Sequence, residues 1–348
     1  MVAPELTTVS DSEAVFFTPA DPDDPDGTPA RVTRYDGLRP GAEHTLEGVT
    51  FRTLDRAGGP LLCTVATVND LHFGETHAGI IDELPDIGPI LTSAPGEPPY
   101  PETMNGAAAE EIARADPTLV VAKGDLTDAG SAADLDTFER CYGRFGTRLV
   151  ALPGNHDVAH GTEDRYAPNL PMRVDLPGVT LALLDTTIVE KATGRVGPGQ
   201  LEWLDEVGRG ADRPVLVMGH HHPWAPGSRM RPPTYFGISP DESEALVEVF
   251  ARRPRLALYA AGHTHRNRVR RFGRTGDVPW VEVASVKEFP GCWAEYRVYE
   301  GGIAQIVHRV SRPDALRWSE RTRALYGGQY PAYAFGALTD RSLLVTSP

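Results

Sequence analysis

Cysteine is scarce in this chain: Cys63, Cys141 and Cys292 are odd in number and far apart. No pair of them has zinc-ribbon or redox spacing, so a thiolate metal knuckle and a disulfide framework are both set aside. Cys63 lies in an apolar strand-like run and reads as a small buried hydrophobe. Basic residues are also short, with 34 Lys and Arg against 48 Asp and Glu for a net charge of −14. That balance argues against a long nucleic-acid track or an anionic-membrane surface. It leaves room for a small anionic substrate, because a metal site makes its own local field. No window approaches the roughly 20 apolar residues that cross a bilayer. Met1-Val2-Ala3-Pro4-Glu5 has neither a basic nor an apolar signal region, and the expected compartment is the cytoplasm.

What is present is a chain of 348 residues, 41% hydrophobic, enough for a substantial core. Residues 1–58 are expected to form a short β-rich appendage, with strands at Ala14–Phe17, Arg31–Tyr35 and Val49–Leu54 and an acidic, Pro-rich loop at Asp21–Gly27. The stretch from Tyr35 to Thr53 resembles the last strands of a fibronectin-III-like sandwich, though the segment is too short for a complete one. From residue 59 to 311 strand-like and helix-like runs alternate, which predicts an α/β body that turns β-rich after Arg266. Residues 312–348 are expected to hold a C-terminal helix from Pro313 to Tyr326 and an irregular tail.

Five short islands carry the chemistry: Asp70-Leu71-His72, Gly124-Asp125 with Asp128, Gly154-Asn155-His156-Asp157, His220-His221-His222-Pro223 and Gly262-His263-Thr264-His265. Seven of the 11 histidines fall in them, so the clustering is not a matter of composition. Each follows an apolar strand-like run, and in open α/β sheets ligands bind beyond the carboxyl ends of strands. Asp70 and His72, two apart in a segment expected to be extended, would leave the backbone on the same side; His263 and His265 repeat the pattern. Asp125 can bridge two cations with its two oxygens, and Asn155 adds a neutral oxygen. A nitrogen and oxygen set without thiolates suits Mn, Fe or Zn better than Mg or Ca. Two divalent cations against two carboxylates leave a cationic centre, which attracts phosphate and lowers the pKa of bound water.

The ordered set D-x-H, GD-x-x-D, GNHD, HHP and GHTH resembles the calcineurin-like metallophosphoesterase superfamily over about Leu61 to Val310. Within it, Asp70-x-His72 and Leu183-Leu184-Asp185-Thr186-Thr187 are more similar to the bacterial cyclic-nucleotide and glycerophosphodiester phosphodiesterases than to purple acid phosphatases. The resemblance implies a four-layer α-β-β-α sandwich of two mixed sheets. It implies one metal held by Asp70, His72, Asp125 and His265, and a second by Asp125, Asn155, His221 and His263. His221 is two residues before the proline, where the family ligand usually stands; His220 is the rival. His156 would stabilise the transition state or protonate the leaving oxygen. Asp157, and Asp128 with it, would orient a histidine or serve as a loop carboxylate. The implied reaction is hydrolysis of a cyclic nucleotide or small phosphodiester by in-line attack of metal-bound hydroxide, with two divalent or trivalent ions as cofactors. A phosphomonoesterase or protein phosphatase is the second reading, a metal-free scaffold a third. The expected partner is a small phosphoester, with no nucleic-acid tract and no membrane. Whether the appendage and C-terminal helix build a homo-oligomer is left open.

Residues Trp224 to Pro240 follow the fourth island and are expected to overhang the site. There Tyr235 and Phe236 stack a nucleobase with Arg229 or Arg231 on a phosphate, or the aromatics pack on the body. Arg266, Arg268, Arg270 and Arg271 read chiefly as the exposed side of a strand. Gly194-x-x-Gly197-x-Gly199 reads as a loop, since no strand enters it.

Overall fold

The computed structural model describes residues 3–20, 30–81, 87–160, 167–230 and 235–346. The acidic loop Asp21–Gly27 and Arg231 lie outside the described residues. The chain begins with β1 (Glu5–Val9), β2 (Glu13–Thr18) and β3 (Arg31–Asp36), a three-stranded antiparallel sheet, then a hairpin of β4 (Glu43–Leu46) and β5 (Val49–Arg52). The body follows as β6 (Leu61–Val68), α1 (Tyr100–Ala115), β7 (Leu119–Lys123), α2 (Ala132–Tyr142), β8 (Leu149–Leu152), β9 (Met172–Leu176) and β10 (Val179–Leu183). It continues as α3 (Pro198–Gly210), β11 (Val215–Met218), α4 (Pro240–Arg252), β12 (Leu256–Ala261), β13 (Arg268–Arg271), β14 (Pro279–Glu282), β15 (Cys292–Tyr299) and β16 (Gly302–Arg309). It closes with α5 (Pro313–Thr322), α6 (Tyr330–Ala334), α7 (Leu338–Arg341) and β17 (Ser342–Thr346).

Two six-stranded mixed sheets result, ordered β17-β16-β15-β6-β7-β8 and β13-β14-β12-β11-β10-β9. Period-two alternation explains the layering. On β6, β7 and β11, Val65, Val121 and Leu216 enter the core between the sheets. Their neighbours Ala66 and Val120 turn outward to Met104, Ile112, Phe138 and Trp318 on α1, α2 and α5. Val215 and Val217 meet Leu204, Leu246 and Phe250 of α3 and α4. Apolar faces on both sides are what buries β7, β10, β11 and β12 completely, and the carboxyl-terminal half of β6 with them. Each buried Leu, Val or Phe contributes about 1.5–3 kcal/mol. The four-layer α-β-β-α expectation holds. Two helix starts carry side-chain caps: Ser131 accepts from Asp134 N at 3.1 Å and Ser239 from Glu242 N at 3.2 Å.

The C-terminal segment departs from the expected irregular tail. The helix stops at Thr322, and Ser342–Thr346 returns as β17, antiparallel to β16. The N-terminal sheet, which includes the unexpected β1, is tied to that edge. Thr8 Oγ1 donates to Val307 O at 3.0 Å, Arg341 donates to Leu6 O at 2.9 Å, and Ser342 Oγ donates to Val9 O at 2.6 Å. Cys63 is buried, as expected, and burial pushes its thiol up to about 11.

Candidate metal centre

Three neighbouring parallel strands, β6, β7 and β8, end at the first three islands, and the parallel pair β11 and β12 ends at the last two. Both sheets therefore deliver ligand-type side chains from their carboxyl edges to one place. The local backbone differs from the extended form expected at Asp70 and His72. Asp70, His72, Asp125, His263 and His265 all lie in the left-handed region, with φ of 53°, 48°, 49°, 67° and 54°. This conformation costs a non-glycine residue about 1–3 kcal/mol, and surrounding bonds must hold it. Here Leu71 N and His72 N both donate to Asp125 O, at 2.8 and 2.9 Å, and His263 N donates to Asp70 Oδ1 at 2.9 Å. The side chains still converge as the two-residue spacing implied, but through paired left-handed turns. Gly124 is fixed by the same crowding. Its φ is 87°, and a Cβ there would stand 2.5 Å from His220 Nδ1.

Two donor groups face each other, buried except for the half-buried His265. Asp70, His72, Asp125 and His265 offer ligand atoms that all lie within 4.8 Å of one another, and so do His220, His221 and His263. Asp125 touches both: its Oδ2 is 3.5 Å from His72 Nε2 and 3.2 Å from His220 Nε2. Asn155 Oδ1 is 3.2 Å from His220 Nε2. All three consecutive histidines are buried, so burial does not distinguish them. Their partners separate them. His220 is fixed by Nδ1 on Lys123 O at 2.9 Å, with Nε2 aimed at Asp125 and Asn155. His221 Nδ1 is 2.8 Å from Thr186 Oγ1, and its Nε2 has no hydrogen-bond partner. His222 lies 6.2 Å from both Phe236 and His263, ring to ring.

His72 Nε2, His221 Nε2 and His263 Nε2 are all buried without hydrogen-bond partners. Orphaned imidazole nitrogens next to carboxylates are costly unless something electropositive meets them. A nitrogen and oxygen donor set of this kind fits a pair of transition-metal cations. The carboxylates and imidazoles also shift one another. Burial pushes the Asp125 carboxyl up, but His220 and His156 outweigh it and hold it well below the usual carboxylate range. Burial and Lys287 push His72 down, but Asp125 and Asp128 raise it to about 10. Burial also pushes His220 down, and Asp125 lifts it to about 9.

His156 stands beside the first group, its ring 4.4 Å from that of His72. Its Nδ1 donates to Asp128 O at 2.7 Å, which leaves Nε2 free, and the side chain is 39% exposed. Burial pushes its pKa below the ordinary value. Asp157 is buried between the second and third islands. It accepts from Leu126 N, Thr127 N, Thr127 Oγ1 and Gly154 N at 2.8–3.1 Å, and so latches the second island to the third. Asp128 does reach the histidines, at 3.5 Å from His72 Nδ1.

Several supporting residues had no motif to mark them. Glu288, buried, accepts from His265 Nδ1 at 2.7 Å and from Tyr330 Oη at 2.5 Å. Burial raises its carboxyl, but Lys287 and His265 bring it to about 2. Asn69 Nδ2 bonds Asp70 Oδ2 at 2.5 Å and Val283 O at 3.0 Å. The arginines after the fifth island are divided. Arg266 and Arg270 fold back on buried Glu282, at 2.9 and 3.3 Å, while Arg268 and Arg271 are exposed as expected.

Known proteins give this geometry its class. The family model for calcineurin-like phosphoesterase matches residues 63–267, and the protein is a hydrolase acting on phosphoesters. The chain belongs to the calcineurin-like phosphoesterase family, whose members depend on a dinuclear metal site. It is 24% identical over 230 residues to a "probable cyclic nucleotide phosphodiesterase" of Synechococcus sp., covering 64% of this chain and 80% of that one. It is 23% identical to a glycerophosphodiester phosphodiesterase of Enterobacter lignolyticus, over 53% of this chain and 68% of that one. It is 30% identical to a 3',5'-cyclic adenosine monophosphate phosphodiesterase of Pseudomonas aeruginosa, over 47% and 61%. Among solved structures, a dimetal phosphatase from Danio rerio superposes with a TM-score of 0.57 at 14% identity, covering 72% of this chain and all of that one. That likeness concerns the fold. No helix among the described residues is long and apolar enough to cross a membrane.

Proposed function

We propose that the protein is a binuclear-metal phosphodiesterase acting on cyclic nucleotides or other small phosphodiesters. The observation that carries this reading is Asp125 placed within 3.5 Å of imidazole nitrogens from both donor groups. Asp70, His72, Asp125 and His265 would hold one cation. Asp125, Asn155, His220 and His263 would hold the other. His220 replaces His221 in this reading because its Nε2 meets both Asp125 and Asn155. His221 Nε2 stays within the same histidine group as a further donor. The two cations would supply Lewis-acid polarisation of the phosphoryl oxygens and a nucleophile at neutral pH.

The chain's own residues do the rest. His156, anchored through Nδ1, presents Nε2 where it can pass a proton to the departing ester oxygen. Its lowered pKa makes the imidazolium a stronger acid for that step. Asp128 holds the ring through its carbonyl, and Asp125 Oδ1 accepts from His156 N at 2.9 Å, so the donor moves with the bridging carboxylate. Relatives named for cyclic nucleotide and glycerophosphodiester hydrolysis support diesters over monoesters. The test is turnover of bis(p-nitrophenyl) phosphate against p-nitrophenyl phosphate by Mn-loaded protein. Faster diester turnover is expected; preference for the monoester would instead make this a phosphatase.

Glu288 gives a second expectation. A carboxylate behind a ligand imidazole raises its basicity, and losing such a partner costs about 10–100-fold in metal affinity. Glu288→Gln should therefore weaken one of two Mn sites by about tenfold in a titration while leaving the other at its parental affinity. Two unchanged affinities would remove Glu288 from the site.

A further inference from the structure

Phe236 is half in water, 51% exposed, yet one face of its ring lies on His263 with centroids 3.9 Å apart and planes at 27°. Burial is not what holds it there. The backbone does so on both sides: Thr193 Oγ1 donates to Tyr235 O at 2.9 Å, Gly194 N to Gly237 O at 2.8 Å, and Ile238 N to His222 O at 2.9 Å. Gly237 permits the close approach, since a Cβ there would stand 2.7 Å from His222 O, and its φ is 130°. Tyr235 is set against Trp224 at 6.1 Å and completes the strap. An aromatic ring fixed by backbone bonds, with one face open beside a reactive centre, is already ordered for stacking and loses little entropy on binding.

The site has two ends. His156 stands against His72 of the first donor group, and Phe236 stands against His263 of the second. A phosphodiester has two ester oxygens, on separate arms in an open diester and on one ribose in a 3',5'-cyclic nucleotide, where the 5' oxygen that stays on phosphorus also leads to the base. If the arm that leaves faces His156, the other is directed toward Phe236. We infer that Phe236 is a specificity-determining residue, a platform that selects phosphodiesters whose retained arm carries a flat π-system, a nucleobase or an aryl group. The inference rests on the phosphodiesterase reading and adds the preferred arm. Alkyl arms such as glycerol meet no complementary face there. Base–aromatic stacking is sequence-tolerant because every base has a π-face, so the platform favours aromatic arms without choosing among bases.

The experiment compares kcat/KM for 3',5'-cyclic AMP with that for glycerophosphoethanolamine, in the parent, Phe236→Leu and Phe236→Trp. Leucine keeps an apolar cover on His263 and removes the π-face. The ratio should fall about tenfold in Phe236→Leu, carried by KM, and be kept in Phe236→Trp. Calorimetry with the products gives an independent readout: AMP should lose about tenfold in affinity relative to glycerol 3-phosphate in the leucine variant. An unchanged ratio in both measurements overturns the inference. So does loss of bound metal in Phe236→Leu, which would make Phe236 a cover for His263 alone. A metal-loaded parent that hydrolyses no diester would sink the phosphodiesterase reading instead, and the product-binding comparison would still decide the platform.

Discussion

Asp125→Ala should lose both bound cations and at least about a thousandfold in phosphodiester turnover, because this carboxylate is shared by the two donor groups. A thousandfold corresponds to about 4 kcal/mol of transition-state stabilisation, within the several kcal/mol that a well-placed cation provides. The loss should exceed that of any ligand belonging to one group, since Asp125 Oδ2 lies 3.5 Å from His72 Nε2 and 3.2 Å from His220 Nε2. Asp125→Asn separates charge from shape. It can still accept from His156 N, so the acid stays in place while the bridge loses its charge. Metal content by elemental analysis and turnover of bis(p-nitrophenyl) phosphate are read on the same samples. An alanine variant that keeps two cations or parental turnover would show that the centre has been placed wrongly.

Asp157→Ala should be the most damaging change to stability among the island residues, at about 4 kcal/mol. Its carboxylate is buried and accepts from three backbone amides and one hydroxyl. Each buried donor left unmet costs about 1–3 kcal/mol, and entering water recovers part of that. Asp157→Asn should fall between, since one acceptor oxygen remains. The measurement is urea unfolding in chelator, so that metal binding does not enter the comparison. A loss below about 1 kcal/mol would mean that the two loops are held together by something other than this carboxylate.

The five islands were legible because each is a local unit, an apolar strand that ends in a turn bearing a ligand, and because adjacent parallel strands bring such ends together. The turn conformation was not legible. Asp70 and His72 could equally leave an extended backbone on one side, and it is tertiary bonds, among them those to Asp125 O and from His263 N, that hold the left-handed form. Nor was the choice within His220-His221-His222, where three identical side chains are told apart by Lys123 O and Thr186 Oγ1. Glu288 sits in no motif; a fold that brings residue 288 to residue 265 is needed to see it. β17 was missed for a related reason. Ser342–Thr346 is short, and its partner β16 lies across an intervening helical stretch, so no turn signal announces the pairing.

The left-handed ligand residues also bear on how such a protein drifts over generations. Asp70, His72, Asp125, His263 and His265 hold a backbone form that glycine would take without cost. At these positions a change to glycine would relieve the backbone while removing a candidate ligand, so backbone strain and the proposed activity would pull in opposite directions. A lineage released from selection for phosphoester chemistry would gain by losing its ligands, and asparagine or glycine would spread through the islands.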